Sequence, residues 1–470
     1  MKKYLSVKEV FDKKDGDISI RGWVYRIRDQ KDNIFITIRD ETGIIQLVAA
    51  KEKLKDEDFQ TAKALGIESS IIVHGKLRKE ERSPQGYEVD IDSIELVGKS
   101  ENYPISKDFS EEFLLDVRHL WLRSRKMTAI LKIRSTAIGA IHEYFRKEGF
   151  YEYQSPILQS VQCEGGSSLF KVDYFEEDGV FLAQTWQLYA EPAIFSLGKI
   201  YTVAPSFRAE KSKTSRHLTE YWHAEMEGVW IDFEQLQDYG EGLIKHVIKT
   251  VLEKHKVDLE ILKRDIKPLE TAISKPFIRM TYTEVLKLLK EKADMEVEWG
   301  KDLRTIEEDK LSRLHDTFTI VTRYPKVVKA FYMKEDPKDS NVVLGFDCIG
   351  PEGYGEIIGA SEREPDLEKI KERLTEQGED PKHYEFYLDT RRYGSVPHAG
   401  FGMGVERLIA YITGVDNIKD TIPFPRTMVR FKPWIGCIYR RTTQNLAARQ
   451  PSATGCASVA QWLEQSTVNR

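Results

Sequence analysis

The chain has 470 residues, 41% hydrophobic and 31% charged, which at about 150 residues per domain gives room for two to four domains and excludes a disulfide-stapled mini-protein, a collagen and a disordered chain. Its 71 Lys and Arg stand against 76 Asp and Glu, a net charge of -5, so bulk positive charge is excluded as a means of holding nucleic acid and such a partner must meet a local basic surface. Four cysteines (Cys163, Cys348, Cys437, Cys456) without C-x-x-C pairing suggest neither a zinc site nor a disulfide framework and fit a reducing cytoplasm, and without a long apolar run neither secretion nor membrane insertion is expected.

Residues 17 to 100 read as short strands between Gly, Asp and charged turns, with one helical stretch near 52 to 65, the rhythm of a small barrel. In Ile34–Asp40 the three isoleucines share one strand face, which turns Phe35, Thr37 and Arg39 the other way. Gln46 interrupts the next apolar strand. An outward aromatic near Arg21, Arg26, Arg28 and Gln46 suits a five-stranded OB-type barrel that stacks a base and hydrogen-bonds its edge, although the same pattern also fits a Phe35 packed under a loop.

Residues 1–102 are therefore expected to form the barrel domain and 103–127 a linker. From about 127 to 149 Ile130, Ile133, Ala137, Ile141 and Phe145 recur at helical spacing until Gly149, then a strand over Tyr151–Gln154 runs to Pro156. The remainder to 433 alternates strands with helices such as 233–254 and 282–292, an α+β pattern with a largely antiparallel sheet and a helical insertion near 255–340. Residues 434–470 hold no Lys, no Asp and a single acidic residue, Glu464, so this tail is expected to be an appendage without a catalytic role.

Three segments concentrate polar groups in apolar surroundings. Phe207–Leu218 is a hairpin loop with Arg208 and Arg216, whose guanidinium groups could grip a nucleotide triphosphate or an RNA end in a bidentate manner. Gly355–Arg363, preceded by Asp347, offers two strands whose carboxylates, Asp347 and Glu356, could hold magnesium bridging phosphates, with Arg363 nearby for an anionic group. Gly400–Tyr411 is a glycine-rich strand, open to a flat ring, leading into a helix that projects Arg407. It is not the dinucleotide fingerprint, since no βαβ unit with a later acidic residue surrounds it.

Together with the Pro156 element these segments resemble the signature motifs of class II aminoacyl-tRNA synthetases: a helix and strand ending in proline at 128–156, the F-R-x-E hairpin at 207–227, and G-x-G-x-E-R at 402–411. The barrel in front, W-V near 23 and R-D-x-x-G-x-x-Q at 39–46 resemble the subgroup for aspartate, asparagine and lysine. Within it, Gln184–Glu191 has Ala190 where aspartyl enzymes carry a lysine for the substrate carboxylate, and Gln-Leu-Tyr-Ala-Glu at 187–191 resembles the asparaginyl enzymes, as do 355–363 and 216–225. A missing ammonium would leave an aspartate side chain unpaired in a dry pocket, whereas Glu191 is expected to accept from an amide and to repel a carboxylate.

The resemblance implies ATP-dependent activation of L-asparagine and its transfer to tRNA(Asn), with magnesium, by a cytoplasmic homodimer that uses no membrane. It further implies that Arg208 bridges the α-phosphate and the amino-acid carboxylate and that Arg407 holds the γ-phosphate. Glu210 would meet the adenine, Arg216 and His217 the phosphates, and Leu218, Gly404, Val405 and Glu406 the rest of the nucleotide. Glu356 and Asp347 would hold the metal. Glu164, Gln187, Ala190, Glu191 and Arg363 would surround the amino acid, Phe35, Gln46 and Arg28 the anticodon, and Pro156 the dimer interface. The rival readings are an aspartyl enzyme of relaxed tRNA specificity, an asparagine-synthesising paralogue, which would be expected to lack the barrel, and a non-catalytic tRNA-binding protein.

Overall fold

The computed structural model describes residues 4–83, 86–105, 109–161, 163, 169–211, 214–431 and 433, so the expectation about the 434–470 tail lies outside the described residues. Two compact units divide the chain at Val117/Arg118. The first contains strands β1 (Gly16–Gln30), β2 (Asn33–Arg39), β3 (Ile44–Ala50), β4 (Ser70–Lys79) and β5 (Tyr87–Gly98), closed in the order β1-β2-β3-β5-β4. This is the five-stranded barrel that the strand rhythm predicts. Ile34, Ile36 and Ile38 are at most 1% exposed, and each such burial stabilises the unit by about 1.5–3 kcal/mol. Closure needs Gly75: a Cβ there would lie 2.2 Å from the Asp90 carbonyl oxygen on the neighbouring strand. Helix α1 (Val7–Lys13), held by a Ser6/Glu9 capping box, and α2 (Asp56–Ala64) pack on this barrel.

The second unit is built on an eight-stranded sheet. In chain order its strands are β6 (Tyr151–Glu152), β7 (Lys199–Phe207), β8 (Glu220–Val229), β9 (Ile278–Thr281), β10 (Thr319–Thr322), β11 (Gly345–Gly350), β12 (Gly355–Glu362) and β13 (His398–Gly404). They lie in the order β9-β10-β11-β12-β13-β8-β7-β6, antiparallel except for the outermost pair at each edge. Helices α3 (Arg125–Lys147), α4 (Gln187–Leu197), α5 (Phe233–Lys254), α6 (Thr305–Leu314), α7 (Leu367–Glu376), α8 (Glu385–Arg392) and α9 (Val405–Thr413) surround it. One sheet face meets α3, α5 and α9 through Ile133, Phe145, Leu243, Val247 and Leu408, with Ala224, Met226, Ile358 and Phe401 supplied by the strands. Because side chains alternate along β8, burying Ala224 and Met226 there turns His223, Glu225 and Glu227 to the opposite face.

The structure differs from the sequence expectation in two stretches. The presumed linker 103–127 holds helices Glu111–Asp116 and Arg118–Trp121, and the Arg118 side chain, 1% exposed, donates to the carbonyls of Lys419 (2.6 Å) and Pro423 (3.0 Å) and pairs with Asp420 at 3.2 Å. The span 255–340 is not helical throughout, since β9 and β10 within it extend the sheet. Short apolar strands of four residues carry too little periodicity to be told from helix by sequence alone.

Candidate active site

The polar face of the sheet forms the floor of a cleft. Its strands approach closely because glycines leave room: a Cβ on Gly402 would lie 2.5 Å from His223 Nε2, and one on Gly400 would lie 2.2 Å from the Glu227 carboxylate. Two cavities with shared wall residues lie over this floor. The larger, about 560 Å³, is lined by Gln187, Glu225, Glu308, Lys329, Asp347 and Arg363, among others, and the second by Glu210, Arg216, His217, Leu218, Gly404 and Arg407. Arg208, His223, Glu356 and Gly402 line both, and Arg208 is the arginine common to the two.

Strands β7 and β8 form the expected hairpin, pairing Phe207 with Glu220, and so carry Arg208, Glu210, Arg216 and His217 to the second cavity. Arg208 lies 5.6 Å from the Tyr221 ring centre. Arg216 donates to the Gly353 carbonyl and faces Asp309 at 3.5 Å and Glu308 at 3.8 Å. Arg407 donates to the Glu356 carbonyl at 2.6 Å and lies 3.4 Å from its carboxylate. Burial, and then the positive charge of Arg407, hold the His217 imidazole below its ordinary pKa of 6.5.

Two residues expected to bind the nucleotide have their side chains committed elsewhere. Val405 is 1% exposed within the main core. Glu406 borders the second cavity, but its carboxylate pairs with Arg134 of α3 at 2.7 Å and accepts from the Trp222 N–H at 2.9 Å. Adjacent residues on a helix face different sides, so the turn that projects Arg407 into the cleft aims the Glu406 carboxylate inward; only packing shows that α3 supplies its partner.

The two proposed metal carboxylates come from neighbouring strands, as expected: β11 sets Asp347 opposite Gly359, and β12 sets Glu356 opposite Ile349. A Cβ on Gly359 would lie 3.1 Å from Glu356 Oε1 and 3.9 Å from Asp347 Oδ1, so the glycine opens a gap flanked by both groups. Among the described residues no group of three or more His, Cys, Asp or Glu has metal-holding geometry. Two carboxylates fit magnesium nonetheless, because that ion ordinarily completes its shell with water and substrate phosphates.

Sequence reasoning missed the charges around this pair. Lys329 Nζ lies 2.7 Å from Asp347 and 3.9 Å from Asp302. Burial pushes the Asp347 carboxyl up to about 6 against the pull of Lys329, and burial beside Glu356 pushes Glu308 up to about 7. For Glu356 burial is outweighed by Arg407, Lys329 and Arg208, and its carboxyl sits below the ordinary value. Neither Lys329 nor Glu308 lies in a local motif that could have marked it.

The end of the larger cavity near α4 differs from what was expected of an amino-acid pocket. Gln187 and Arg363 line it. Ala190 does not: it packs with Trp186, Ile194 and Ile200 in a small core on the far side of α4. Glu191 also lies behind the wall, with no exposure, accepting from Gln187 Nε2 (2.9 Å) and the Tyr387 hydroxyl (3.0 Å) and pairing with Arg391 (2.7 Å) and His398 (2.9 Å). It is therefore not a direct acceptor for a substrate amide. Arg363 is engaged in a two-pronged contact with Glu227 and donates to Ser361 Oγ at 2.7 Å. Glu164 lies outside the described residues.

Glu225 and Glu227 were not predicted, though a signal existed. His223, Glu225 and Glu227 alternate with apolar residues on a strand that is buried on both faces, and acids in such places need partners. Glu225 accepts from Thr185 Oγ1 and from the Trp186 N–H at 3.0 Å, which anchors the start of α4. Burial pushes Glu227 up to about 7 despite Arg363, with the Glu191 charge adding to the rise.

In the first unit, Arg28 stands opposite Phe35 across the β1–β2 ladder with its guanidinium 4.8 Å from the ring centre. Gln46 stands opposite Thr37, so it shares the outer face with Phe35, and its amide donates to Glu88 at 2.8 Å. The outward Phe35 is thus a half-exposed ring covered by a cation rather than a buried packing residue. Pro156 is exposed beside Ile157 and Leu158, each 42% exposed.

Residues 110–428 match the family model for class II tRNA synthetases (D, K and N), and residues 18–97 match that of the OB-fold nucleic acid binding domain. The asparagine--tRNA ligase of Thermoplasma acidophilum is 46% identical over 431 residues, covering 91% of this chain and 100% of its own length. That of Pyrococcus horikoshii is 46% identical over 90% of this chain and 98% of its own. The crystal structure of the Pyrococcus horikoshii asparaginyl-tRNA synthetase complexed with asparaginyl-adenylate superposes with a TM-score of 0.88 at 44% identity, over 92% of this chain and 100% of that one. An aspartyl tRNA synthetase from Entamoeba histolytica aligns with a TM-score of 0.79 at 25% identity, over 92% of this chain and 93% of its own.

Proposed function

We propose, from the premise that the chain belongs to the class II tRNA synthetase family (D, K and N) and within it to the asparagine--tRNA ligases, that its cleft joins asparagine to tRNA in two steps at Arg208. In the first, a carboxylate oxygen of asparagine attacks the α-phosphorus of ATP and pyrophosphate leaves. In the second, a terminal ribose hydroxyl of tRNA attacks the carbonyl carbon of the adenylate and AMP leaves. The observation that carries this reading is the pair of neighbouring cavities with Arg208 in the wall of both. The attacking carboxylate and the α-phosphate are both anions and must meet at such a junction, and a fixed guanidinium there offsets their repulsion without reorganising.

Arg216, His217 and Arg407 bind the outer phosphates, and Glu210 and Leu218 border the nucleoside end. Glu356 and Asp347 would hold magnesium, which when bound supplies charge neutralisation across the phosphates; Lys329 keeps Asp347 paired otherwise. Arg363 faces the substrate side-chain oxygen while Glu227 orients it, and Gln187 lines the same end. Phe35 and Arg28 stack on an anticodon base, with Gln46 at its edge.

The working unit is a homodimer in the cytoplasm. Strand β6 is a sheet edge, and Tyr151, 62% exposed, lies on it close in sequence to the exposed Pro156, Ile157 and Leu158, an apolar border that a second copy would cover. Sedimentation at micromolar concentration checks this, and a single monomeric species would refute it. The reaction itself is tested by pyrophosphate exchange into ATP with magnesium and asparagine, aspartate or lysine in separate tubes. Exchange with asparagine is the expected result, and preferential exchange with aspartate would overturn the specificity.

A further inference from the structure

Behind the amino-acid end of the cavity lies a group of buried charges of which Arg363 alone lines the cavity. Glu191 and Arg391 are fully buried as a pair at 2.7 Å, and Arg363 and Glu227 form a second pair, with Arg363 Nε 4.0 Å from Glu191 Oε1. Each of the two carboxylates thus has a guanidinium partner within the group. His398 completes the group, its Nε2 2.9 Å from Glu191 Oε2 and its Nδ1 2.8 Å from the Val396 carbonyl oxygen. Arg391 is held further by the Glu364 carbonyl (3.1 Å) and the Tyr387 hydroxyl (2.9 Å), so it has no room to swing away.

This group controls two side chains of the cavity. The Gln187 amide must turn its NH2 to Glu191 because a carboxylate only accepts, which settles how that amide points. Arg363 sits between the carboxylates of Glu227 and Glu191, so its readiness to meet a further anion depends on how much negative charge already faces it.

We propose that Glu191 and Arg391 are positioning residues that set the preference for an uncharged amide over a carboxylate, by keeping each guanidinium behind the substrate side chain engaged with a buried carboxylate. This rests on the reading that the cavity holds asparagine. An aspartate side chain would add one negative charge to a desolvated wall whose guanidinium groups are already engaged, whereas an amide adds none and leaves every buried charge with its partner. Removing the Glu191 charge leaves a guanidinium in excess and makes a carboxylate welcome; removing the Arg391 charge does the reverse.

The experiment compares Glu191→Gln, Arg391→Met and the double variant by the ratio of kcat/KM for asparagine to that for aspartate in pyrophosphate exchange. Because both substrates are measured on one preparation, loss of folded enzyme cancels in the ratio. Glu191→Gln is expected to lower the ratio at least about tenfold, the factor carried by one charge-assisted contact, Arg391→Met to raise it, and the double variant to return towards the wild type. A ratio unchanged by Glu191→Gln, or a double variant no closer to wild type than Glu191→Gln, would overturn the proposal. Failure of the underlying reading would show separately, as a wild-type enzyme that prefers aspartate. Calorimetric titration of each variant with L-asparagine and L-aspartate supplies a second readout, in which the same order of preference is expected without turnover.

Discussion

Arg407 and His217 show how single side chains take their properties from the cleft. Arg407 reaches its position because α9 begins at the end of β13, and its guanidinium rests on Glu356. Replacing Arg407 with Ala is expected to lower asparagine-dependent exchange at least about 10²-fold while tRNA binding is retained, since the lost charge acts on a phosphate alone. Unchanged exchange would remove Arg407 from the phosphate site. His217 is kept from taking a proton by burial and then by Arg407, and a bound polyphosphate would cancel that positive field. The folded, ligand-free pKa lies below 6.5 and bound phosphate raises it, so ATP binding takes up protons as the pH falls towards 6. Calorimetry of ATP binding in two buffers of different ionisation enthalpy is expected to detect this uptake, and His217→Gln to reduce it.

At the scale of elements, the glycine-rich strand β13 and the helices behind the sheet define the cleft from opposite sides. Arg134 joins α3 to α9 through Glu406, both side chains less than 10% exposed, which makes this pair a structural tie between two helices distant in the chain. Arg134→Leu leaves the Glu406 carboxylate buried and unpaired and is expected to cost about 3–5 kcal/mol in urea unfolding. Adding Glu406→Gln to it should recover part of that loss, and a double variant as unstable as the sum of the singles would show that the two do not interact. The motif Gly402–Arg407 is easy to see in sequence, but its glutamate and arginine have opposite duties, and spacing alone treats them alike.

For the whole molecule, the barrel and the catalytic unit each have a separate core, so a change to one is expected to leave the chemistry of the other intact. Phe35→Ala should weaken tRNA binding by about 1–3 kcal/mol, the contribution of one stacked base, with no change in asparagine-dependent exchange. An equal loss in both measurements would mean that the variant damages the fold rather than a base contact.

The barrel, the long amphipathic helix, the hairpin, and the strands bearing Asp347 and Glu356 were legible because each is local: alternation of isoleucines, a helical repeat, and arginines bracketing one loop are properties of contiguous residues. The composition likewise determined a large, Cys-poor chain whose nucleic-acid contacts must be local. What tertiary structure alone decided is which charges meet. Lys329 with Asp347, Arg391 with Glu191, Arg363 with Glu227 and Arg118 with Asp420 are pairs separated by 18 to 302 residues. For Ala190 and Glu191 the sequence marked the right helix but not its facing. One residue along a helix is a turn of about 100°, and packing on both sides of α4 sent the first into a core and the second behind the cavity wall.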